Sequence, residues 1–142
     1  MKILFVCKAN VGRSQIAETI FNKLVKEKGL KHEAQSAGAE PGKWKGKLVG
    51  EDKIVNPTLK EAGFDLGKQK SKKITKKQIK WADIVILMNN NFDIPDYIKE
   101  SKRLILWDIK DPKGRDLNFH RKIRDEIHIL VNRLIDELEK KS

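Results

Sequence analysis

Short apolar runs separate densely charged stretches along this chain, and their spacing sets out the elements. Residues 2–6, KILFV, form a continuous run that predicts a short buried strand. Over residues 14–28 the apolar positions fall at Ile16, Ala17, Ile20, Phe21, Leu24 and Val25, which is helical spacing, and Gly29 supplies the stop. Residues 32–37 read as a second strand ending in the turn signal Ser36-Ala37-Gly38. Residues 39–53 are rich in Gly and Pro and lack a period, so they predict a loop. A helix is expected from Asn56-Pro57, with Asn56 as N-cap, to Gly63, and another over 75–82 with Thr75 as cap. Residues 84–88 and 103–107 are two further apolar runs of strand length, which suits parallel strands covered on both faces. From about 118 to 140, Ile123, Ile127, Leu130, Val131, Leu134, Ile135 and Leu138 make one helical stripe.

The resulting order, β-α-β-α-α-β-β-α, predicts a parallel sheet with helices on both faces. Ligands in such sheets bind at the carboxyl ends of the strands. The 142 residues fit one domain spanning 1–142. A signal-peptide core needs roughly 7–15 apolar residues and a membrane span about 20. The N-terminal run reaches neither, so a cytoplasmic protein with no membrane partner is expected. The single cysteine, Cys7, excludes an internal disulfide and a CxxC pair, and the three histidines show no metal-ligand spacing. No metal and no cofactor is expected. A net charge of +11 points to anionic partners.

The loop after the first strand reads Cys7-Lys8-Ala9-Asn10-Val11-Gly12-Arg13-Ser14. A thiol at a strand end, an arginine six residues later and a hydroxyl at the helix start have a common physical purpose. Five intervening residues can curl so that their N–H groups converge on one centre, and the helix N-terminus adds partial positive charge. Arg13 offers a planar fork for two oxygens. Asn10 and Gly12 tolerate the positive φ that a tight loop needs. A thiol in such a field is biased toward thiolate, with Ser14 placed to donate to it. Residues 8–14 are therefore the candidate phosphate-binding loop, with Cys7 and Arg13 as candidate catalytic residues.

This C-x5-R-S loop resembles that of the low-molecular-weight protein tyrosine phosphatases and of the arsenate reductases built on the same fold. The likeness extends through Ser36-Ala37-Gly38, the 83–88 strand, Asp111-Pro112 and the final helix from IRDEI. It implies a flavodoxin-like three-layer sandwich with a four-stranded parallel sheet in the order 2-1-3-4. It also implies metal-independent hydrolysis of phosphomonoesters, with protein phosphotyrosine as a substrate, through a phosphocysteine on Cys7. In that family the aspartate of the Asp-Pro is the general acid, which matches Asp111; Asp108 is the second candidate, and Asp116 is assigned to capping the last helix. The partner would be a phosphorylated protein or a small phosphomonoester.

Several positions depart from the family pattern. Ala9 stands in place of glycine, Gly12 in place of a second cysteine and Gln15 in place of proline. Lys113-Gly114 follow the Asp-Pro where aromatic residues commonly wall the substrate ring, leaving Trp44 as a candidate wall. Arg13-Ser14-Gln15 is closer to the arsenate reductases. With one cysteine an internal thiol relay is closed, so that alternative takes arsenate plus an external thiol such as glutathione, mycothiol or a redoxin. A nucleic-acid module is the reading from another class: residues 40–80 hold twelve lysines against five acidic residues. No recognition motif and no interleaved aromatics accompany them, which argues against nucleic acid, and Lys68, Lys70, Lys72, Lys73, Lys76, Lys77 and Lys80 read as a solvated helix face.

Overall fold

Four parallel strands form the centre of the molecule in a computed structural model that describes residues 1–141. They are β1 (Lys2–Cys7), β2 (Glu33–Gly38), β3 (Ile84–Leu87) and β4 (Leu104–Leu106), ordered β2-β1-β3-β4. The helices are α1 (Arg13–Glu27), α2 (Val55–Glu61), α3 (Lys76–Trp81) and α4 (Leu117–Lys140). Both the element order and the strand order match the expectations.

Strand alternation divides the core into two layers. Ile3 and Phe5 of β1 face α1 and α4, packing with Ile16, Ile20, Phe21, Ile123, Ile127 and Val131. Leu4 and Val6 face the opposite side, against Ile79 of α3 and Ile98 of the short turn at Asp96–Glu100. This second layer covers β1 and β3 but holds no side chain of β4. Leu104 and Leu106 are consequently 45% and 48% exposed, so the apolar run at 103–107 is an edge strand rather than one covered on both faces.

The start of α2 also differs from expectation. Asn56 lies inside the helix, and the Asp52 carboxylate accepts from the N–H groups of Ile54 and Val55 at 2.8 Å each. Asn56 is buried, and its side chain instead holds the following turn by accepting from Leu66 N–H at 2.9 Å. Thr75 forms the expected cap, as a capping box with Gln78, and Asp116 accepts from Phe119 N–H to cap α4. No described helix is long and apolar enough to cross a membrane.

Because all four strands run in one direction, the chain segments leaving Cys7, Gly38, Leu87 and Leu106 emerge at one edge of the sheet. That edge carries the residues singled out by the loop chemistry.

Candidate active site

Cys7 ends β1, buried at 3% exposure, and pairs across the sheet with Gly38 of β2. The loop it opens can pass close to β2 only because residue 38 has no side chain. A Cβ there would lie 2.9 Å from backbone atoms of both Lys8 and Ala9. The loop is then fastened by Ala39 N–H to the Cys7 carbonyl at 3.0 Å and Glu40 N–H to the Lys8 carbonyl at 2.7 Å.

Asn10 takes the left-handed conformation, φ 59°, as expected of it; Gly12 does not, with φ −104°. What holds Asn10 there is a buried polar network that also settles the direction of its hydrogen bonds. Lys72 N–H can only donate, and it meets Asn10 Oδ1 at 2.9 Å. The amide nitrogen of Asn10 therefore faces the other way, donating to Ser14 Oγ at 2.8 Å and to Ser36 Oγ at 2.9 Å. Ser14 Oγ, which accepts from Asn10, is also hydrogen-bonded to Cys7 Sγ at 2.8 Å and is the donor of that bond when Cys7 is a thiolate. Asn10 N–H adds a second donor to that sulfur at 3.3 Å.

Gln15 is the residue whose role spacing alone did not disclose. Fully buried, it donates through Nε2 to the Asn10 carbonyl at 3.2 Å, to Asn10 Oδ1 at 2.9 Å and to the Lys70 carbonyl at 3.2 Å. It thus braces the strained residue from behind, at the cost of leaving its own Oε1 without a partner among the described residues.

The backbone N–H groups of Val11, Gly12, Arg13 and Ser14 donate to no protein acceptor among the described residues, and no side chain caps α1. They form a concentration of donors beside Cys7 at the N-terminus of a 15-residue helix. Lys8 is exposed at the rim.

Arg13 is 5% exposed and reaches across to the loop after β4. Its Nη1 donates to the Ile109 carbonyl at 2.8 Å, which also accepts from Asn89 Nδ2 at 3.1 Å. Its Nη2 lies 3.9 Å from Asp111 Oδ2. Asp111 is half-exposed, steadied by Lys113 N–H at 3.0 Å, and followed by a buried Pro112. Asp108 is exposed and forms no hydrogen bond or ion pair with Arg13. Trp44 is half-buried and packs against the main core. Among the described residues no group of three or more His, Cys, Asp or Glu is placed to hold a metal ion.

Behind the loop, Glu18 of α1 is buried and accepts hydrogen bonds from Ser36. Burial pushes its carboxyl above the ordinary 4.5, outweighing the opposing effects of Lys72 and the Ser36 bonds. A carboxyl held above its unfolded value contributes stability below pH 4.5, and that contribution is lost as pH rises through the folded value. Glu18→Gln keeps an acceptor for Ser36 and removes the charge. It should raise stability to urea at neutral pH, with the difference closing in acid. A variant equally or less stable than the parent at neutral pH would contradict this.

Residues 2–142 match the family described as low molecular weight phosphotyrosine protein phosphatases. The chain belongs to that family. Within it, the relatives divide by activity. One is a protein-arginine-phosphatase of Bacillus subtilis, 27% identical over 99% of this chain and 98% of its own. Another is arsenate reductase 1 of Staphylococcus epidermidis, 30% identical over 91% of each chain. A solved low-molecular-weight protein tyrosine phosphatase from T. tengcongensis superposes with a TM-score of 0.82, at 30% identity, covering 96% of this chain and 99% of that one.

Proposed function

We propose that this enzyme hydrolyses phosphomonoesters through a phosphocysteine on Cys7, with phosphorylated protein side chains as substrates. The observation that carries the reading is the buried Cys7–Ser14–Asn10 hydrogen-bond chain, set among unpaired loop N–H groups and one buried arginine.

The thiolate attacks phosphorus while the loop N–H groups and Arg13 hold the phosphoryl oxygens. Charge on the transition state is met by these fixed donors, so the step needs no metal ion. Asp111, beside Arg13 and open to solvent, protonates the departing oxygen. It then takes a proton from the water that attacks the phosphocysteine, and Ser14 stabilises the sulfur as it leaves. Residues 1–142 act as one domain, in the cytoplasm.

A specific observation favours a second reading. Gln15, which braces Asn10, completes the Arg13-Ser14-Gln15 sequence noted as closer to arsenate reductases, and a relative of that activity is 30% identical. Arsenate would occupy the same cradle, and the Cys7 thiolate would bond to arsenic as one arsenate oxygen, protonated, departs as water. An external thiol would attack the Cys7 sulfur, arsenite would depart with the electron pair, and a second thiol would reduce the resulting mixed disulfide.

The two readings separate in one assay. With p-nitrophenyl phosphate and a chelator present, the enzyme should turn over; without such turnover, arsenite formed from arsenate and glutathione or mycothiol would establish the reductase instead.

A further inference from the structure

Two combs of lysine meet beside the Cys7 loop. Lysines recur at every second position at 43, 45 and 47, and again at 68, 70 and 72. A period of two suggests extended chain, but Lys43 lies in the short 3₁₀ turn Gly42–Trp44, and the β-bridges are confined to Lys45 and Leu48 in the first segment and to Lys70, Ser71 and Lys73 in the second. The second set is not the helix face its composition suggested, since α3 begins only at Lys76.

The structure lays the two segments side by side. Lys45 pairs with Ser71 and Leu48 with Lys70. Gly46 N–H donates to the Ser71 carbonyl at 2.8 Å, Ser71 N–H to the Lys47 carbonyl at 3.0 Å, and Val49 N–H to the Gln69 carbonyl at 3.0 Å. Trp44, Leu48 and Gln69 are half-buried and Ser71 is buried, whereas Gly46 is exposed. Lys43, Lys45, Lys47, Lys68, Lys70 and Lys73 are exposed, and among the described residues none of them forms an ion pair with a carboxylate. This ribbon is tied directly to the nucleophile's loop, through Ser71 Oγ to the Ala9 carbonyl at 2.8 Å and Lys72 N–H to Asn10 Oδ1 at 2.9 Å. Like charges on adjacent segments repel, and the uncompensated field collects anions at one rim of the site.

We propose that the ribbon is the docking surface for an acidic stretch of polypeptide flanking the phosphorylated residue, an assignment that rests on the phosphatase reading above. Six exposed lysines with no carboxylate partner among the described residues complement a run of Asp and Glu side chains in charge. A nucleic acid finds little here to read: residues 40–80 hold no arginine, and of their two aromatics Phe64 is in the core and Trp44 packs against it.

The test uses two phosphopeptides alike except that the flanking residues are Asp and Glu in one and Ser and Gly in the other. At low ionic strength the acidic peptide should have a kcat/KM higher by about tenfold or more, and added salt should erase the gap. Lys43→Glu/Lys45→Glu/Lys47→Glu should abolish the preference while leaving p-nitrophenyl phosphate turnover unchanged. The corresponding Lys→Gln set guards against a charge-reversed protein that fails to fold. Equal kcat/KM for the two peptides, or a preference surviving both sets, would overturn the docking surface. So would a single-stranded RNA that binds the ribbon more tightly than the acidic peptide. Absence of p-nitrophenyl phosphate turnover in every protein would instead overturn the phosphatase reading, and this inference with it.

Discussion

Replacing Arg13 with lysine should lower kcat/KM for p-nitrophenyl phosphate about a thousandfold. The size follows from how much one guanidinium is asked to do. Nη1 is committed to the Ile109 carbonyl and Nη2 faces Asp111, so the same planar group holds the acid's loop against the nucleophile's loop. Its charge is 5% exposed, where water screens it weakly. A lysine brings a single point of charge on a flexible stem. It can hold the Ile109 carbonyl or meet the phosphoryl oxygens, but not both in one plane. Circular dichroism of the variant separates lost chemistry from lost fold. A folded variant within about tenfold of the parent would show that Arg13 is not the main source of charge stabilisation.

Asp111→Asn should lower kcat by roughly 100- to 1,000-fold on phenyl phosphate, whose leaving group needs a proton, with inhibition by inorganic phosphate retained. On p-nitrophenyl phosphate, which departs as a stable anion, formation of the phosphoenzyme should suffer less than its hydrolysis. Asp108→Asn should leave both substrates unaffected, since Asp108 is exposed and lies outside the Arg13 contact. Unchanged kcat in Asp111→Asn together with a loss in Asp108→Asn would transfer the acid role to Asp108.

These residues were accessible from sequence for a physical reason. Cys7, Arg13 and Ser14 lie within eight positions, between a strand and a helix whose periods differ, so their meeting is local. Asp111 follows a strand parallel to β1, and parallel strands bring their carboxyl ends to one edge. The brace behind the nucleophile was hidden because its partners are distant along the chain: Ser36 is 26 residues from Asn10, and Lys72 is 62. No periodicity carries that information. Asn56 beside Pro57 has the composition of a helix start, yet Asp52, two residues before Ile54, reaches the free N–H groups first. The exposed leucines of β4 reflect the limited reach of the layer containing α3, a tertiary fact invisible in RLILW. The lysine ribbon is different. Its lysines are plain in KWKGK and KQKSK, but their meeting depends on the pairing of Lys45 with Ser71 and Leu48 with Lys70, which are distant along the chain.

The central claim is that phosphate passes through the sulfur of Cys7. The most direct measurement mixes the Asp111→Asn protein with p-nitrophenyl phosphate and follows it before steady state. Because departure of p-nitrophenol needs little acid while hydrolysis of the intermediate needs a base, the phosphoenzyme should accumulate. The account predicts a burst of p-nitrophenol equal to the enzyme present, with one phosphoryl group on the peptide containing Cys7 by mass spectrometry. Turnover with no phosphoryl group on that peptide, or turnover that survives Cys7→Ser, would contradict it.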